Sequence, residues 1–434
     1  MKILFYNPAT TQKRYESYEA IKGSAFFRRP NYDAMRLSFL SKAHDFRYYD
    51  ERIEKKPEFT PDLVVVNVPL NLSRYVSSTI RKNWPRNTKV ISYGFFPTLF
   101  PELNKKFADS TIVGDVANIW KRILAHAESG KLLKVYNSNR KGQFSIDRTI
   151  EIKYGLTPAL SQLKTSFGCT CLKNNKDFCY ENIMYKRVVR WDLDEAIHAV
   201  AHIKRKIVFL RDDDFFHDID YAINFIEKCW RFKKMWICQS TGRLFEHTKL
   251  FPVLRDNGVR IINLKEDWLG NDLVHKIDDP DFLKDKKRQT ELLHSNRIAC
   301  GLLLRLGFEG EDFTFYRKLL KFLLNVKIDM VKVTVQTPMP NTETFRRYQK
   351  DGFIAQDLTL YDQWMPVVQI PDMNPQALYS WMEWLRDRFY SWDSILYRNI
   401  SVSPKLGLYN TMLFNLLPNL SYRNNFLEKV GYPP

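Results

Sequence analysis

Twice along this chain a set of short apolar runs alternates with stretches of helical periodicity, and that alternation limits the folds open to it. The first set is Lys2 to Asn7, closed by an Asn7-Pro8 turn, then Leu63 to Val68, Lys89 to Gly94 and Ser110 to Gly114; helical spacing lies around Tyr32 to Lys42, Leu72 to Asn83 and Val116 to Ala127. Apolar runs bounded by turn residues read as buried strands. Strands alternating with helices predict a parallel sheet in a doubly wound, Rossmann-like α/β domain, whose ligands bind beyond the carboxyl ends of the strands. This domain is placed at residues 1–135.

A polar, turn-rich passage, residues 136–158, reads as a linker. In residues 159–352 the alternation resumes, with strands at Ile207 to Leu210, Trp236 to Cys238, Ile261 to Leu264, Ile298 to Leu306 and Val331 to Val335, and a helix from Tyr221 to Trp230. About six βα units in a row predict a partial (β/α)6 TIM-like barrel with its chemistry at the C-terminal strand ends. Residues 353–434 are rich in Trp and Tyr. A helical pattern from Pro375 to Arg398 followed by a loop-rich tail predicts a small helical cap, its aromatic rings packed on the barrel or lining an apolar substrate wall.

Three of the six cysteines, Cys169, Cys171 and Cys179, share one loop that directly follows a strand end. Thiolates are soft ligands suited to iron–sulfur clusters and zinc, and three on a loop can hold three irons of a [4Fe–4S] cube while leaving the fourth open to a substrate. Chance clustering or a structural zinc site is the alternative, although the Cys-x-Cys-x7-Cys spacing matches no common zinc pattern and offers no evident fourth ligand. Cys229, Cys238 and Cys300 sit singly in apolar surroundings and are expected in the core. The chain opens with no signal peptide, so a reducing, cytoplasmic location is expected rather than a disulfide.

The formal charge of +18 would suit an anionic partner, either nucleic acid or a lipid headgroup. Yet the cations are spread along the sequence, apart from short clusters such as Lys284 to Arg288, and no RNA-recognition, KH or zinc-finger signature accompanies them. A solvated basic surface is expected, not a nucleic-acid groove. No run approaches the ~20 apolar residues of a spanning helix, which leaves a soluble chain or one resting on a membrane surface.

Several passages carry a family resemblance. In the first domain they are Asn7-Pro8, Pro61-Asp62-Leu63-Val64, Tyr93 to Leu99 and Val113-Gly114-Asp115. In the second they are Thr165-Ser166-Phe167-Gly168-Cys169, Phe178-Cys179, Tyr185-Lys186-Arg187, Asp212 to Phe216, Arg243 after the third strand, and Thr337 to Thr342 with Gly352. In this order they resemble the radical S-adenosylmethionine enzymes with an N-terminal cobalamin-binding-type domain, over nearly the full chain. The chain departs from that pattern at Phe95 and Asn341, where members carry glycine, and at Asp115, where they carry glutamate. It departs most at the cysteines: members have Cys-x3-Cys-x2-Cys, and Lys176 stands at the middle position here. Either Cys171 supplies the second thiolate from a lengthened loop, or the cluster has been lost and the barrel is a binding scaffold.

The resemblance implies a [4Fe–4S] cluster on Cys169, Cys171 and Cys179 that binds S-adenosylmethionine and, with one electron from a reductant such as ferredoxin or flavodoxin, yields a 5′-deoxyadenosyl radical. Phe178 would lie beside the adenine, Glu266 near the nucleoside, and the Val331 to Val335 strand would border the adenine through its backbone. Asp212, Asp213 and Asp214 would orient substrate or hold the cluster loop, a helix N-cap being the plain alternative. Cobalamin would sit at strand ends near Asn7, Tyr93, Gly94 and Thr98; the Asp-x-His-x-x-Gly ligand motif is absent, as in many members. The implied reaction is methylation, or else cyclisation or rearrangement, of an unactivated carbon in a largely apolar natural product or lipid, with peripheral membrane contact in keeping with the basic surface. Two rivals stay open: an inactive scaffold without a cluster, and an RNA-modifying radical enzyme.

Overall fold

The structure, a computed structural model, describes residues 1–9, 31–51, 54–138, 160–169, 183–185, 188–270, 272–369 and 373–423. Its first sheet holds six parallel strands, β1 (Lys2–Asn7), β2 (Asp45–Asp50), β3 (Leu63–Asn67), β4 (Lys89–Tyr93), β5 (Ser110–Val113) and β6 (Val135–Asn137), in the order β2-β1-β3-β4-β5-β6. The 2-1-3-4-5 core of that order is a doubly wound arrangement whose topological switch lies between β1 and β3. Alternate residues of β1 feed two cores, Ile3 and Phe5 on one face and Leu4 and Tyr6 on the other. Helices α1 (Tyr32–Leu40), α2 (Ser73–Asn83) and α3 (Trp120–Glu128) cover the sheet, close to their expected bounds.

Two strands escape the sequence pattern. The edge strand β2 reads Asp-Phe-Arg-Tyr-Tyr-Asp, and charge on an edge discourages pairing with other chains while hiding the strand from an apolar search. At the other edge β6 has only three residues.

The second sheet joins β7 (Ser161–Leu163), β10 (Ile207–Leu210), β11 (Met235–Ser240), β12 (Val259–Lys265), β13 (Ala299–Leu306) and β14 (Met330–Val335), all parallel and each beside the next in sequence. This is the expected partial barrel. Between them, β8 (Ser166–Phe167) and β9 (Val189–Arg190) pair antiparallel and tie together the two ends of the cysteine loop. Helices α4 (Leu193–Ala201), α5 (Ile219–Cys229), α6 (Pro280–Ser295) and α7 (Phe313–Asn325) complete the outer layer. Cys229, Cys238 and Cys300 are buried in the core as expected, and burial drives their thiols upward, Cys229 to about 12.

The C-terminal cap is helical, but not as the sequence pattern suggested. The run from Pro375 breaks into α8 (Pro375–Phe389) and α9 (Trp392–Leu406), because Ser391 caps a new N-terminus through Ser394 N. The expected loop-rich tail is instead helical to Arg423, through Leu408–Thr411, a π-helical turn at Met412–Leu416 and Leu417–Arg423. Pro404 and Gly407 punctuate this stretch and disguise it. Val402, Leu406 and Phe414 plug the bottom of the barrel against Ile237, Ile261, Ala299 and Met330. Asp329, fully buried ahead of β14, fastens the plug: its carboxylate accepts from Asn415, from Cys300 N at 2.6 Å and pairs with His294 at 2.7 Å, while its carbonyl accepts from Arg398 and Asn419.

Candidate active site

The barrel mouth is organised around the start of the cysteine loop. Cys169 follows β8 and Gly168, which turns the chain with φ of +88°, and its side chain is buried. Asp212, just past β10, anchors the segment from beneath: its carboxylate accepts from Thr165 N at 3.0 Å, Thr165 Oγ1 at 2.7 Å and Ser166 Oγ at 2.5 Å. Asp212 is therefore committed to holding the loop. Cys171, Cys179 and Phe178 lie outside the described residues. Among the described residues no cluster of three potential ligands forms a metal site.

Lys265, at the end of β12, places Nζ 3.5 Å from Cys169 Sγ. Asp213 lies 3.8 Å from the same ammonium and 3.8 Å from that of Lys164. An ammonium at this distance stabilises a thiolate and donates a hydrogen bond to it. Asp214 is buried and accepts from Thr241 Oγ1 at 2.9 Å; burial raises its carboxyl above the ordinary range although Thr241 opposes the shift. It caps no helix through its side chain. Glu266 pairs with Arg305 at 3.0 Å, so that the ends of β12 and β13 carry a half-buried ion pair at the mouth. Deeper in the sheet Gln239, Asn263 and Gly301 stand in register on β11, β12 and β13. Gly301 leaves room for the Asn263 amide, since a Cβ would fall 2.1 Å from Asn263 Oδ1.

The carboxyl edge of the first sheet meets this mouth. Tyr32 Oη accepts from Lys164 N at 3.0 Å. The buried Arg36 pairs with Asp115 at 2.8 Å, Tyr185 Oη donates to Asp115 at 2.7 Å, and Arg36 lies 4.6 Å from the centre of the Phe167 ring. Burial acts to raise the Asp115 carboxyl, but the guanidinium and the hydrogen bonds from Arg36, Tyr185 and Ala117 N hold it below the usual range. Thr98 Oγ1 donates to Gly94 O at 2.7 Å, accepts from Gly114 N at 3.1 Å and lies 3.6 Å from Met184 Sδ.

The remaining expected positions also fall at strand ends. Asn7 closes β1, with its carbonyl accepting from Glu51 N at 3.1 Å. Gly94 turns the chain with φ of +110°, where a Cβ would strike Asn67 Oδ1. Tyr93 sends its ring into the core beside Phe5 and offers its carbonyl to Val68 N.

Solved proteins that share this architecture include two cobalamin-binding enzymes. One is the radical S-adenosylmethionine methyltransferase TsrM from Kitasatospora setae, solved with cobalamin and a [4Fe–4S] cluster bound, at a TM-score of 0.58 and 13% identity over 81% of this chain and 75% of that one. The other is the cobalamin-dependent S-adenosylmethionine radical enzyme OxsB, solved with aqua-cobalamin, at a TM-score of 0.50 and 11% identity over 91% of this chain and 62% of that one. The chain has the fold of the cobalamin-dependent radical S-adenosylmethionine enzymes. By sequence it is similar to the bacteriochlorophyllide d C-12(1)-methyltransferase of Chlorobaculum tepidum, 20% identical over 328 residues, 71% of this chain and 70% of that protein. No protein-family model matches it.

Within this radical S-adenosylmethionine fold, the donor set fits a cluster at one tested point: Cys169 is buried at the mouth with a cation beside its sulfur. Sequence reasoning named the loop, the three aspartates and Glu266. It missed Lys265, Lys164 and Arg36, whose partners Cys169, Asp213 and Asp115 lie 96, 49 and 79 residues away. No local spacing marks such pairs.

Proposed function

We propose that this protein is a cobalamin-dependent radical S-adenosylmethionine methyltransferase acting on a largely apolar small molecule or lipid-like substrate. The observation that carries the reading is the placement of Cys169 and Lys265 at a barrel mouth against which the cobalamin-type sheet turns its carboxyl edge. When bound, the cluster, S-adenosylmethionine and cobalamin supply the radical chemistry and the methyl group, which no amino-acid side chain can provide.

The chain's own residues hold and shield those groups. Cys169, Cys171 and Cys179 would ligate the cluster, Cys171 from a lengthened loop. Asp212 fixes the base of that loop, and Lys265 offsets thiolate charge. Asp213 shares Lys265 and Lys164 and so offsets part of their charge. Glu266 and Phe178 would border the nucleoside, while Asn7, Gly94 and Thr98, with the backbone of Tyr93, would border the corrin. Asp214, buried and accepting from Thr241, would orient substrate through the end of β11. The name of the Chlorobaculum tepidum relative indicates methylation of a bacteriochlorophyllide, which supports a large apolar acceptor.

The test is anaerobic turnover with cobalamin, a reductant and methyl-labelled S-adenosylmethionine. The reading expects 5′-deoxyadenosine and label in apolar acceptors such as tetrapyrroles. Label entering only small polar acceptors would overturn the substrate class, and a cluster-bearing protein that forms no 5′-deoxyadenosine would overturn the radical reaction.

A further inference from the structure

The helices that plug the barrel bury polar groups beside Ile395, Val402, Leu406 and Phe414 and leave large apolar side chains outside. Their buried face carries polar groups, among them Ser394, Arg398, Asn399, Asn410, Asn415 and Asn419, while Trp392, Leu396, Ile400, Leu408, Tyr409 and Met412 point to solvent. Ile400 and Leu408 are each 71% exposed. Of the twelve large hydrophobic side chains exposed among the described residues, eight lie between Trp392 and Leu417. Scattered exposed apolar residues need no explanation, but such a concentration on one face marks an interaction surface. The buried polar face is accounted for, because Arg398, Asn415 and Asn419 are spent on Asp329. Among the described residues no element covers the exposed apolar face.

The charges beside that face indicate what covers it. A groove at the bottom of the barrel is lined by Arg255, Arg260, Arg297 and Lys405 together with Leu408 and Tyr409 of the exposed face, and its one carboxylate is Asp256. Arg255 pairs with Asp256 at 2.7 Å and Lys405 lies 3.8 Å from Glu291, while burial and Arg297 depress the Arg260 guanidinium below its ordinary value against the opposing effects of Tyr409 and Asp256. Arg423 adds a further cation 4.9 Å from the Trp392 ring centre. From Ser394 to Arg423 the sequence contains no carboxylate. Apolar side chains with Trp and Tyr, flanked by basic groups, are the composition of a surface that settles into the headgroup layer of an anionic bilayer. No helix among the described residues is long and apolar enough to cross one. A second copy suits the face less well, because a twofold axis through it would set these cations against their own equivalents.

We propose that the exposed face of α9 and of the helices from Leu408 to Arg423 docks on an anionic membrane surface, with the Arg255, Arg260, Arg297 and Lys405 groove receiving lipid headgroup phosphate. The face lies at the end of the barrel opposite Cys169, so docking leaves the mouth open. The inference does not depend on the proposed reaction.

Vesicle flotation of the full-length protein tests it, using phosphatidylcholine vesicles that contain phosphatidylglycerol beside vesicles of phosphatidylcholine alone. Wild type is expected to float with the anionic vesicles and to be released as salt rises. The Ile400→Asp/Met412→Asp variant, altered only at exposed positions, should stay at the bottom, and Arg255→Gln/Lys405→Gln should lose on the order of fivefold in affinity per cation removed. Thermal melts establish that each variant is folded, and the charge variant tests the proposal even if the apolar one is not. Wild type remaining at the bottom with both compositions, or floating equally with both, would overturn the proposal. So would a wild-type dimer in sedimentation that Ile400→Asp converts to monomer, which would assign the face to a second copy.

Discussion

The ammonium of Lys265 stands 3.5 Å from the sulfur of Cys169. A cation that hydrogen-bonds a ligating thiolate lowers the electron density the sulfur gives to iron and favours the reduced cluster, so it raises the reduction potential. Lys265→Met should therefore shift the cluster midpoint to a more negative value, with Lys265→Arg restoring much of it. Potentiometric titration followed by electron paramagnetic resonance reads the shift, and an unchanged midpoint in the Met variant would rule out the role.

Asp212 satisfies a backbone N–H and two hydroxyls in a buried setting. Its replacement by alanine leaves those donors without their acceptor and should cost about 3 kcal/mol. Urea unfolding measures the loss, and the iron content of the reconstituted variant should fall in parallel because the loop base is no longer fixed.

The Arg36, Asp115 and Tyr185 cluster holds the two sheets together. Tyr185→Phe should cost about 1–3 kcal/mol by removing one hydrogen bond to a buried charge, and Asp115→Ala about 3–5 kcal/mol by leaving Arg36 buried and unpaired. Because the folded-state Asp115 carboxyl is depressed, its stabilising effect is present above the ordinary carboxylate range and is lost as pH falls through the folded value. Stability of wild type minus Asp115→Ala, measured by urea unfolding from neutral to acidic pH, should shrink toward low pH.

Glu311 works in the opposite sense. It accepts from Gly307 N at 2.7 Å and Tyr316 Oη at 2.9 Å after β13, and burial lifts it from 4.5 to about 7. Below the unfolded value the carboxyl is protonated in both states; as pH rises toward about 7 the folded protein keeps a proton the unfolded chain has lost, and stability falls by about 3 kcal/mol. Glu311→Gln imitates the protonated form, so its advantage over wild type should grow from pH 4.5 to 7 and then level. Parallel pH slopes in the two proteins would contradict this.

The regular parts of this fold are written locally. Val64 to Val66, and Ile261, Ile262 and Leu264, are buried in parallel sheets and so stand out as apolar. The charged edge strand β2 and the short β6 carry no such signal. Helices α8 and α9 fuse in the pattern because a Ser391 cap is a local hydrogen bond, not a break in periodicity. At the site, the order of short motifs pointed to Cys169, the aspartates after β10 and Glu266. Which of the roles offered each takes was not legible, because it depends on partners distant in sequence: Asp212 on Thr165 and Ser166, Glu266 on Arg305, and Cys169 on Lys265.

The central claim is that the cysteine loop holds a catalytic cluster. Iron and sulfide content, with an electron paramagnetic resonance spectrum before and after S-adenosylmethionine, on anaerobically reconstituted wild type beside Cys169→Ala and Cys171→Ala, tests it most directly. The account predicts about four irons per chain in wild type, a spectrum that changes when S-adenosylmethionine binds the open iron, and loss of the cluster in both variants. A folded wild type that takes up no iron would contradict it and leave a binding scaffold.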